Sequence, residues 1–189
     1  MGLGRVGGPP RQAPRRRALS HGSRMRSRPA QLRPAVPADA RALARLRYTF
    51  RAALGTVAES EAAFLPRCEA WMAERLARSE SWRCWVAIDE GRVCGMIWLF
   101  PLEKLPNPVA EPERHGYISS LYVTPEHRGR GLGSDLLTEC LRACDAEGFD
   151  AIFLWPTPLS RSLYARHGFV ARDDLLERRH SDRAPPGAN

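Results

Sequence analysis

The 189-residue chain is long enough for one ordinary domain with a sizeable core. Hydrophobic residues make up 43% of it and charged residues 26%, as in globular proteins, and no apolar run reaches the roughly 20 residues of a membrane-spanning helix. The formal net charge of +8 comes from residues 1–29, which hold eight arginines and no acid, so the other 160 residues are neutral overall. This distribution argues against a basic nucleic-acid-binding surface on the folded part of the chain.

Residues 1–29 are predicted to be disordered, because they are rich in Gly, Pro and Arg and contain few large apolar side chains. They contain no apolar stretch of the roughly 7–15 residues that a secretory signal requires. Three interpretations stay open: translation starts at Met25, the segment is a solvated tail, or, less favoured, it binds nucleic acid. The folded domain is predicted to span residues 30–178, followed by a disordered end at residues 179–189.

The five cysteines form no C-x-x-C pair. Cys140 and Cys144 lie four residues apart in an apolar helical pattern, which favours core packing over metal binding. The histidines His115, His127 and His167 have no metal-ligand spacing, so no metal site is predicted. An odd number of cysteines without a secretory signal predicts a reducing, cytoplasmic setting.

The first half of the domain contains signals for a strand, two helices and a hairpin. A short strand is predicted near residues 31–33, followed by a helix that begins near Asp39 and ends before Gly55. A second helix is predicted after Pro66. Two β-rich runs on either side of the turn at residues 89–92 then predict a β-hairpin.

The second half alternates between strands and helices. A proline-rich loop at residues 101–115 leads to a strand that Thr124-Pro125 ends, and a helix then continues to Gly148. The nearly continuous apolar run at 149–155 predicts a central strand of the sheet. A short helix after Thr157 and a last strand at 169–179 complete the order β-α-α-β-β-β-α-β-α-β, which predicts a mixed sheet with a parallel crossover.

The glycines Gly129, Gly131 and Gly133, next to Arg128 and Arg130, stand between a strand and a helix. A helix N-terminus presents unpaired N–H groups and a partial positive charge, and glycine lets an anion such as phosphate come close. A nucleoside-triphosphate loop is excluded because no lysine is near, and the spacing G-x-G-x-G is only a weak match to a dinucleotide fingerprint. A turn that merely permits tight packing of the helix is the structural alternative.

The strand "ISSLYV", followed by Arg128-x-x-Gly131-x-Gly133 and an amphipathic helix, resembles the acetyl-coenzyme A signature of the GNAT N-acetyltransferases. That signature reads Arg or Gln, two residues, Gly, one residue, then Gly or Ala. The strand "AIFLW" and the helix "SRSLYARHGF", with Tyr164 before Gly168, resemble the second conserved region of the family. The opening "LRPAVPADARALARLR" is similar to its first strand and helix, so the resemblance covers about residues 30 to 178.

The resemblance implies a single α/β domain whose mixed sheet is splayed at its central parallel strands and flanked by helices. It also implies transfer of acetyl from acetyl-CoA to a primary amine by direct attack in a ternary complex, with Tyr164 as the general acid toward the sulfur. The pantetheine arm would pair with the strand before the loop, and a backbone N–H near Tyr122 or Val123 would stabilise the oxyanion. The implied cofactor-binding residues are Leu121, Tyr122, Val123, Arg128, Gly129, Arg130, Gly131, Leu132, Gly133, Ser134 and Thr157.

Two positions depart from the family pattern. Many relatives carry a glutamate base where this chain has Ser119-Ser120, so no base is evident on that strand, although water or an acid elsewhere, such as Glu111 or Glu113, stays possible. Thr157 replaces an asparagine that contacts the cofactor arm in many relatives. A non-catalytic acyl-CoA-binding module is therefore the first alternative function, and a nucleic-acid-associated protein acting through the arginine-rich tail is the second.

The acceptor amine has no readable motif. It would be bound by elements near residues 50–65, 101–116 and 171–178, where acids fit a cationic acceptor but are equally explained as solvated side chains. The tryptophans Trp82, Trp85 and Trp98 are predicted to pack in the core or at its rim, and Trp155 is equally compatible with the floor of an acceptor cleft. A homodimer formed through an exposed edge strand stays open.

Overall fold

A computed structural model describes Met1, residues 30–78 and residues 82–178, so the predicted tails lie outside the described residues apart from Met1. The strands are β1 Gln31–Pro34, β2 Arg83–Asp89, β3 Arg92–Glu103, β4 Arg114–Val123 and β5 Ala151–Phe153. The helices are α1 Ala40–Ala53, α2 Glu61–Leu76, α3 Leu132–Ala146 and α4 Arg161–Arg166. The predicted boundaries of the folded domain stay a prediction.

The strands form one sheet in the order β1-β2-β3-β4-β5, antiparallel except for the parallel pair β4–β5. Side chains alternate between the two faces of the sheet, as the period of a strand requires. One face packs against α1 and α2 through residues such as Val86 and Met96, and the other packs against α3 through residues such as Ile97 and Leu99. The predicted α/β fold with a mixed sheet flanked by helices is therefore confirmed.

The hairpin between β2 and β3 is also confirmed. Asp89 pairs with Arg92 across the turn, and Glu90 and Gly91 have φ angles of +48° and +75°. Two successive residues with positive φ are what a tight turn with the right-handed twist of a hairpin requires.

The sheet splays between β4 and β5. The two strands pair only where His115–Tyr117 meets Ala151–Phe153, so within the described residues Ile118–Val123 has no strand partner on that side. On its other side β4 has an irregular register with β3, and Ser120 has a φ of +56°. This combination of a bulge and an early end of β5 leaves an open strand edge of β4 immediately before the glycine loop.

The second helix begins five residues before Pro66, after which it was predicted to start. It starts at Glu61 after Ser60, whose Oγ accepts the N–H of Ala63 at 3.3 Å, so Pro66 lies inside the helix. Proline removes one helical hydrogen bond. Packing of this helix against α1, with the rings of Tyr48 and Phe64 5.7 Å apart, outweighs that loss, so the proline did not mark the start.

The predictions for the last two strands were wrong in part. The strand predicted at residues 149–155 covers only Ala151–Phe153, and it is the edge strand of the described sheet. No strand is present in residues 169–178, the described part of the last predicted strand, where Arg172 forms a local ion pair with Asp174. The apolar character of 149–155 reflects packing against α3 and α4 rather than a central place in the sheet.

The start of α1 depends on a partly buried ion pair. The carboxylate of Asp39, only 9% exposed, accepts hydrogen bonds from two Arg33 guanidinium nitrogens at 2.7 and 2.9 Å and from the Val36 N–H at 2.8 Å. These donors, Arg33 foremost, hold the pKa of Asp39 below its ordinary value.

Asp39→Asn should therefore lower the free energy of unfolding by about 1.5–3 kcal/mol at pH 7, measured by urea denaturation. Because the pKa of Asp39 is lower in the folded state, its contribution is present above the unfolded pKa of about 3.9 and is lost as pH falls further. The difference between the two proteins should shrink below about pH 4. Asp173→Asn, at an exposed position, is the control, and a difference independent of pH would contradict this account.

Candidate functional site

The glycine loop joins the open edge of β4 to the N-terminus of α3. Gly129 and Gly131 have φ angles of +74° and +86°, in the left-handed region that glycine adopts without a steric penalty. The N–H groups of Ser134 and Asp135 both donate to the Gly131 carbonyl, at 2.8 and 3.0 Å. In the described part of the chain, the N–H groups of residues 129–133 make no close backbone hydrogen bond, so five donors follow one another at the positive end of a helix. Such a cluster suits a phosphate.

The two arginines beside the loop differ in their surroundings. Arg128 donates from Nε to the Val123 carbonyl at 2.9 Å, and its guanidinium lies 5.5 Å from the centre of the Tyr122 ring. Its side chain thus closes the end of β4 rather than extending from the loop. Arg130 is exposed, and within residues 30–78 and 82–178 its side chain forms no ion pair or hydrogen bond.

A histidine-centred hydrogen-bond network links the start of α3 to the end of α4. His167 Nδ1 lies 3.0 Å from the Leu163 carbonyl, so this nitrogen carries the proton, and Nε2 then accepts from the Ser134 hydroxyl at 3.0 Å. The Ser134 hydroxyl is therefore oriented by a residue 33 positions later in the chain. Sequence reasoning gave His167 no role toward the loop, because nothing in the local pattern relates the two positions.

The Thr157 hydroxyl is engaged in the turn that begins α4. Its Oγ1 lies 3.0 Å from Ser160 Oγ, which also accepts the Thr157 N–H at 2.9 Å and donates to the Thr157 carbonyl at 3.0 Å. Because Ser160 uses its own proton on the carbonyl, the Thr157 proton points to Ser160. Thr157 therefore has only acceptor capacity left for a cofactor arm.

Tyr164 lies on α4 and packs in the hydrophobic core between α3 and the sheet. Its ring is 9% exposed and packs edge-on against Phe169 with the ring centres 5.6 Å apart, and it lines a cleft of about 400 Å³ together with Leu154, Pro156 and Arg161. Burial, assisted by the nearby Cys140 thiol, raises the pKa of Tyr164 to about 12. The phenol is therefore neutral at physiological pH.

The bulge of β4 brings two serines to the other face of the sheet. Ser120 Oγ accepts a hydrogen bond from Arg47 Nη1 at 2.8 Å and lies 3.3 Å from Ser119 Oγ. Sequence reasoning missed Arg47, which lies 73 residues away on α1. A single arginine in a helix rich in arginine gives no signal that could have found it.

The two acids considered as an alternative base lie in the loop that precedes β4. Glu111 contacts the Lys104 ammonium at 3.1 Å and the Asn107 amide, and these donors lower the pKa of its carboxyl. Lys104 also binds Asp150 at 2.6 Å, so Glu111 is part of a local ion-pair cluster that lowers its basicity. Glu113 is exposed in the same loop and contributes its carbonyl to the Lys104 N–H at 2.8 Å.

Comparison with known proteins identifies the family and agrees with the observed fold. The model of the acetyltransferase (GNAT) family matches residues 51–169, and the chain belongs to this family. A search among curated protein sequences found no significant match. Within the described residues, no helix is long and apolar enough to cross a membrane, and no three His, Cys, Asp or Glu side chains are grouped as metal ligands.

Solved structures with the same fold include three acetyltransferases. A GCN5-related N-acetyltransferase from Ralstonia eutropha JMP134 is 29% identical, with a TM-score of 0.67 and 79% of this chain and 97% of that chain covered. A predicted acetyltransferase from Clostridium acetobutylicum, crystallised with acetyl-CoA, is 21% identical, with a TM-score of 0.68 and coverages of 79% and 96%. An aminoglycoside acetyltransferase from an uncultured soil metagenomic sample, in complex with sisomicin, is 18% identical, with a TM-score of 0.60 and coverages of 80% and 95%.

Proposed function

We propose that the protein transfers the acetyl group of acetyl-CoA to a primary amine by direct attack within a ternary complex. The observation that carries this proposal is the open edge of β4 at 118–123, which leads directly into a glycine loop with five N–H groups that make no close backbone hydrogen bond. The resemblance to the family would place the buried Tyr164 of α4 across the gap from this edge.

The N–H groups of the glycine loop and of the open β4 edge would fit successive parts of acetyl-CoA. Residues 129–133 would bind the pyrophosphate, and Ser134 would contribute only if its hydroxyl turned from His167 to the phosphate. The open backbone of Leu121, Tyr122 and Val123 would pair with the amides of the pantetheine arm. Arg130 would add positive charge at the loop, whereas Arg128 supports Val123. Thr157 would accept one hydrogen bond from the arm.

The residues near the splay then define a chemical sequence. A backbone N–H near Tyr122 or Val123 would polarise the thioester carbonyl. The amine nitrogen forms a bond to the carbonyl carbon and releases a proton to water, since no described carboxylate lies on β4 beside the bulge. The carbon–sulfur bond breaks, and Tyr164 gives its proton to the departing thiolate and takes one back from solvent.

Calorimetric titration with acetyl-CoA, NAD and ATP in parallel tests the ligand of the loop. We expect acetyl-CoA to bind with a dissociation constant in the micromolar range, about −8 kcal/mol, and NAD and ATP to bind much more weakly. Release of the free thiol of coenzyme A in the presence of an amine panel then tests the reaction. Folded protein that does not bind acetyl-CoA would overturn the proposal.

A non-catalytic acyl-CoA-binding module is the second candidate, and the serines at 119 and 120 in place of an acid favour it. It predicts acetyl-CoA binding without thiol release for any amine in the panel. A cytoplasmic location, the oligomeric state and any role of residues 1–29 in nucleic-acid binding stay predictions. Deletion of residues 1–24, with DNA affinity measured at fixed low salt, tests the last of these.

A further inference from the structure

We propose that the two cavities between α1 and α2 form an acceptor subsite for a carboxylate or phosphate group, held by Arg47 and Arg51. The amine substrate would then be an anionic molecule, such as an amino acid or an aminoalkyl phosphate, rather than a polycation. This inference rests on the proposed acetyl transfer and specifies its acceptor.

The two cavities are adjacent, since Arg47 lines both. One, of about 450 Å³, is otherwise lined by apolar side chains and Arg67, among them Phe64, Trp71 and Met72. The other, of about 360 Å³, adds Arg51 and the α1–α2 connection near Thr56. Three guanidinium groups therefore line this space.

Among the described residues, no acidic side chain that lines these two cavities is ion-paired with Arg47 or Arg51. Glu59 is the one acid that lines the described cavities, and it is ion-paired with Arg67. Arg47 makes one side-chain hydrogen bond in the described part of the chain, to the neutral hydroxyl of Ser120 at 2.8 Å. Burial first, and then the nearby charge of Arg51, lower the pKa of Arg47.

A half-buried guanidinium beside a like charge is unfavourable unless an anion compensates it. A planar guanidinium matches a carboxylate or phosphate with two parallel hydrogen bonds, and the apolar walls strengthen such a pair by excluding water. The remaining N–H groups of Arg47 and those of Arg51 can bind such an anion without breaking an existing ion pair.

The position of Arg47 connects the subsite to the reaction. Its contact residue Ser120 lies on the bulge of β4, inside the stretch 118–123 that has no partner on the β5 side. An anion bound to Arg47 would therefore be separated by about the length of the Ser120 side chain from the strand edge along which the thioester would lie. A short amine bound through its acid group would extend from that point toward the splay.

Matched pairs of amines test the selectivity. Each pair has one member with the acid group and one without. L-Alanine with L-alaninamide tests a carboxylate, and phosphoethanolamine with ethanolamine tests a phosphate. We expect kcat/KM to favour the anionic member of at least one pair by about tenfold or more. Equal or better use of both neutral members would overturn the inference.

Substitutions separate the subsite from a purely structural role of Arg47. Arg47→Met and Arg51→Gln should each reduce the preference for the anionic amine by about tenfold or more, by raising the KM for that amine. The kcat/KM of the neutral amines and the dissociation constant of acetyl-CoA should change less than about threefold. Arg45→Gln, on the exposed face of the same helix, is the matched control and should change nothing. If Arg47→Met impairs folding, Arg51→Gln alone decides.

A binding measurement keeps the inference testable if no acetyl transfer occurs. Inorganic phosphate and N-acetyl-L-alanine are titrated into the protein saturated with coenzyme A, and into Arg51→Gln and Arg45→Gln in the same state. Anion binding that weakens about tenfold or more only in Arg51→Gln supports the subsite even if the protein is a non-catalytic binding module. Anion binding that is absent, or unchanged in Arg51→Gln, overturns the subsite while leaving the acetyltransferase proposal intact.

Discussion

Gly131→Glu should weaken the binding of acetyl-CoA by about 100-fold or more, measured by calorimetric titration. The substitution places a carboxylate among the five N–H donors and forces a residue with a side chain into a φ of +86°, which costs about 1–2 kcal/mol. The loss of two hydrogen bonds to a charged phosphate, at about 1.5–3 kcal/mol each, accounts for the expected change in affinity.

Gly148→Glu is the matched control. Gly148 follows the C-terminal end of the same helix, has a φ of +67°, and has no atom within 4 Å of the position a Cβ would occupy. Both variants should lose similar stability in thermal unfolding, because both strain one left-handed position. Only Gly131→Glu should lose the cofactor, and an equal loss of affinity in the two would show that strain, rather than the anion site, is responsible.

Tyr164→Phe should lower kcat by about 100-fold or more while the dissociation constant of acetyl-CoA changes little, since a general acid contributes typically 10²–10⁴-fold. The ring of the variant keeps the contact with Phe169, so folding should be nearly unaffected. The defect should shrink with p-nitrophenyl acetate as the acetyl donor, because its leaving group departs without a proton. A defect of the same size with both donors would contradict the role of general acid.

The pKa of Tyr164, raised to about 12, also predicts the shape of the pH profile. Since the phenol stays protonated through pH 10, it causes no loss of rate between pH 6 and 10, and any rise there reflects deprotonation of the amine. The sign for stability follows from the same shift: burial of the neutral phenol contributes fully below an unfolded pKa of about 10 and loses its effect as pH rises toward 12. An alkaline decline near pH 8 that disappears in Tyr164→Phe would contradict this assignment.

Much of the fold could be predicted from local patterns. The hairpin turn at 89–92 and the end of α1 before Gly55 depend on nearby residues with known backbone preferences, and the structure confirms both. The start of α2 and the place of β5 could not be read in this way, because packing tolerates Pro66 inside a helix and an apolar strand can be buried at the edge of a sheet by helices.

The sequence by itself determined the family and the glycine loop, since five consecutive residues with a fixed backbone conformation leave a local signature. Only the tertiary structure decided which side chains meet: Arg47 with Ser120 across 73 positions, and His167 with Ser134 across 33. These contacts depend on how helices pack on a bulged and splayed sheet, and the sum of many weak packing interactions leaves no pattern at either position alone. For this reason the cofactor could be inferred from the sequence, whereas the charge of the acceptor site could be inferred only from the fold.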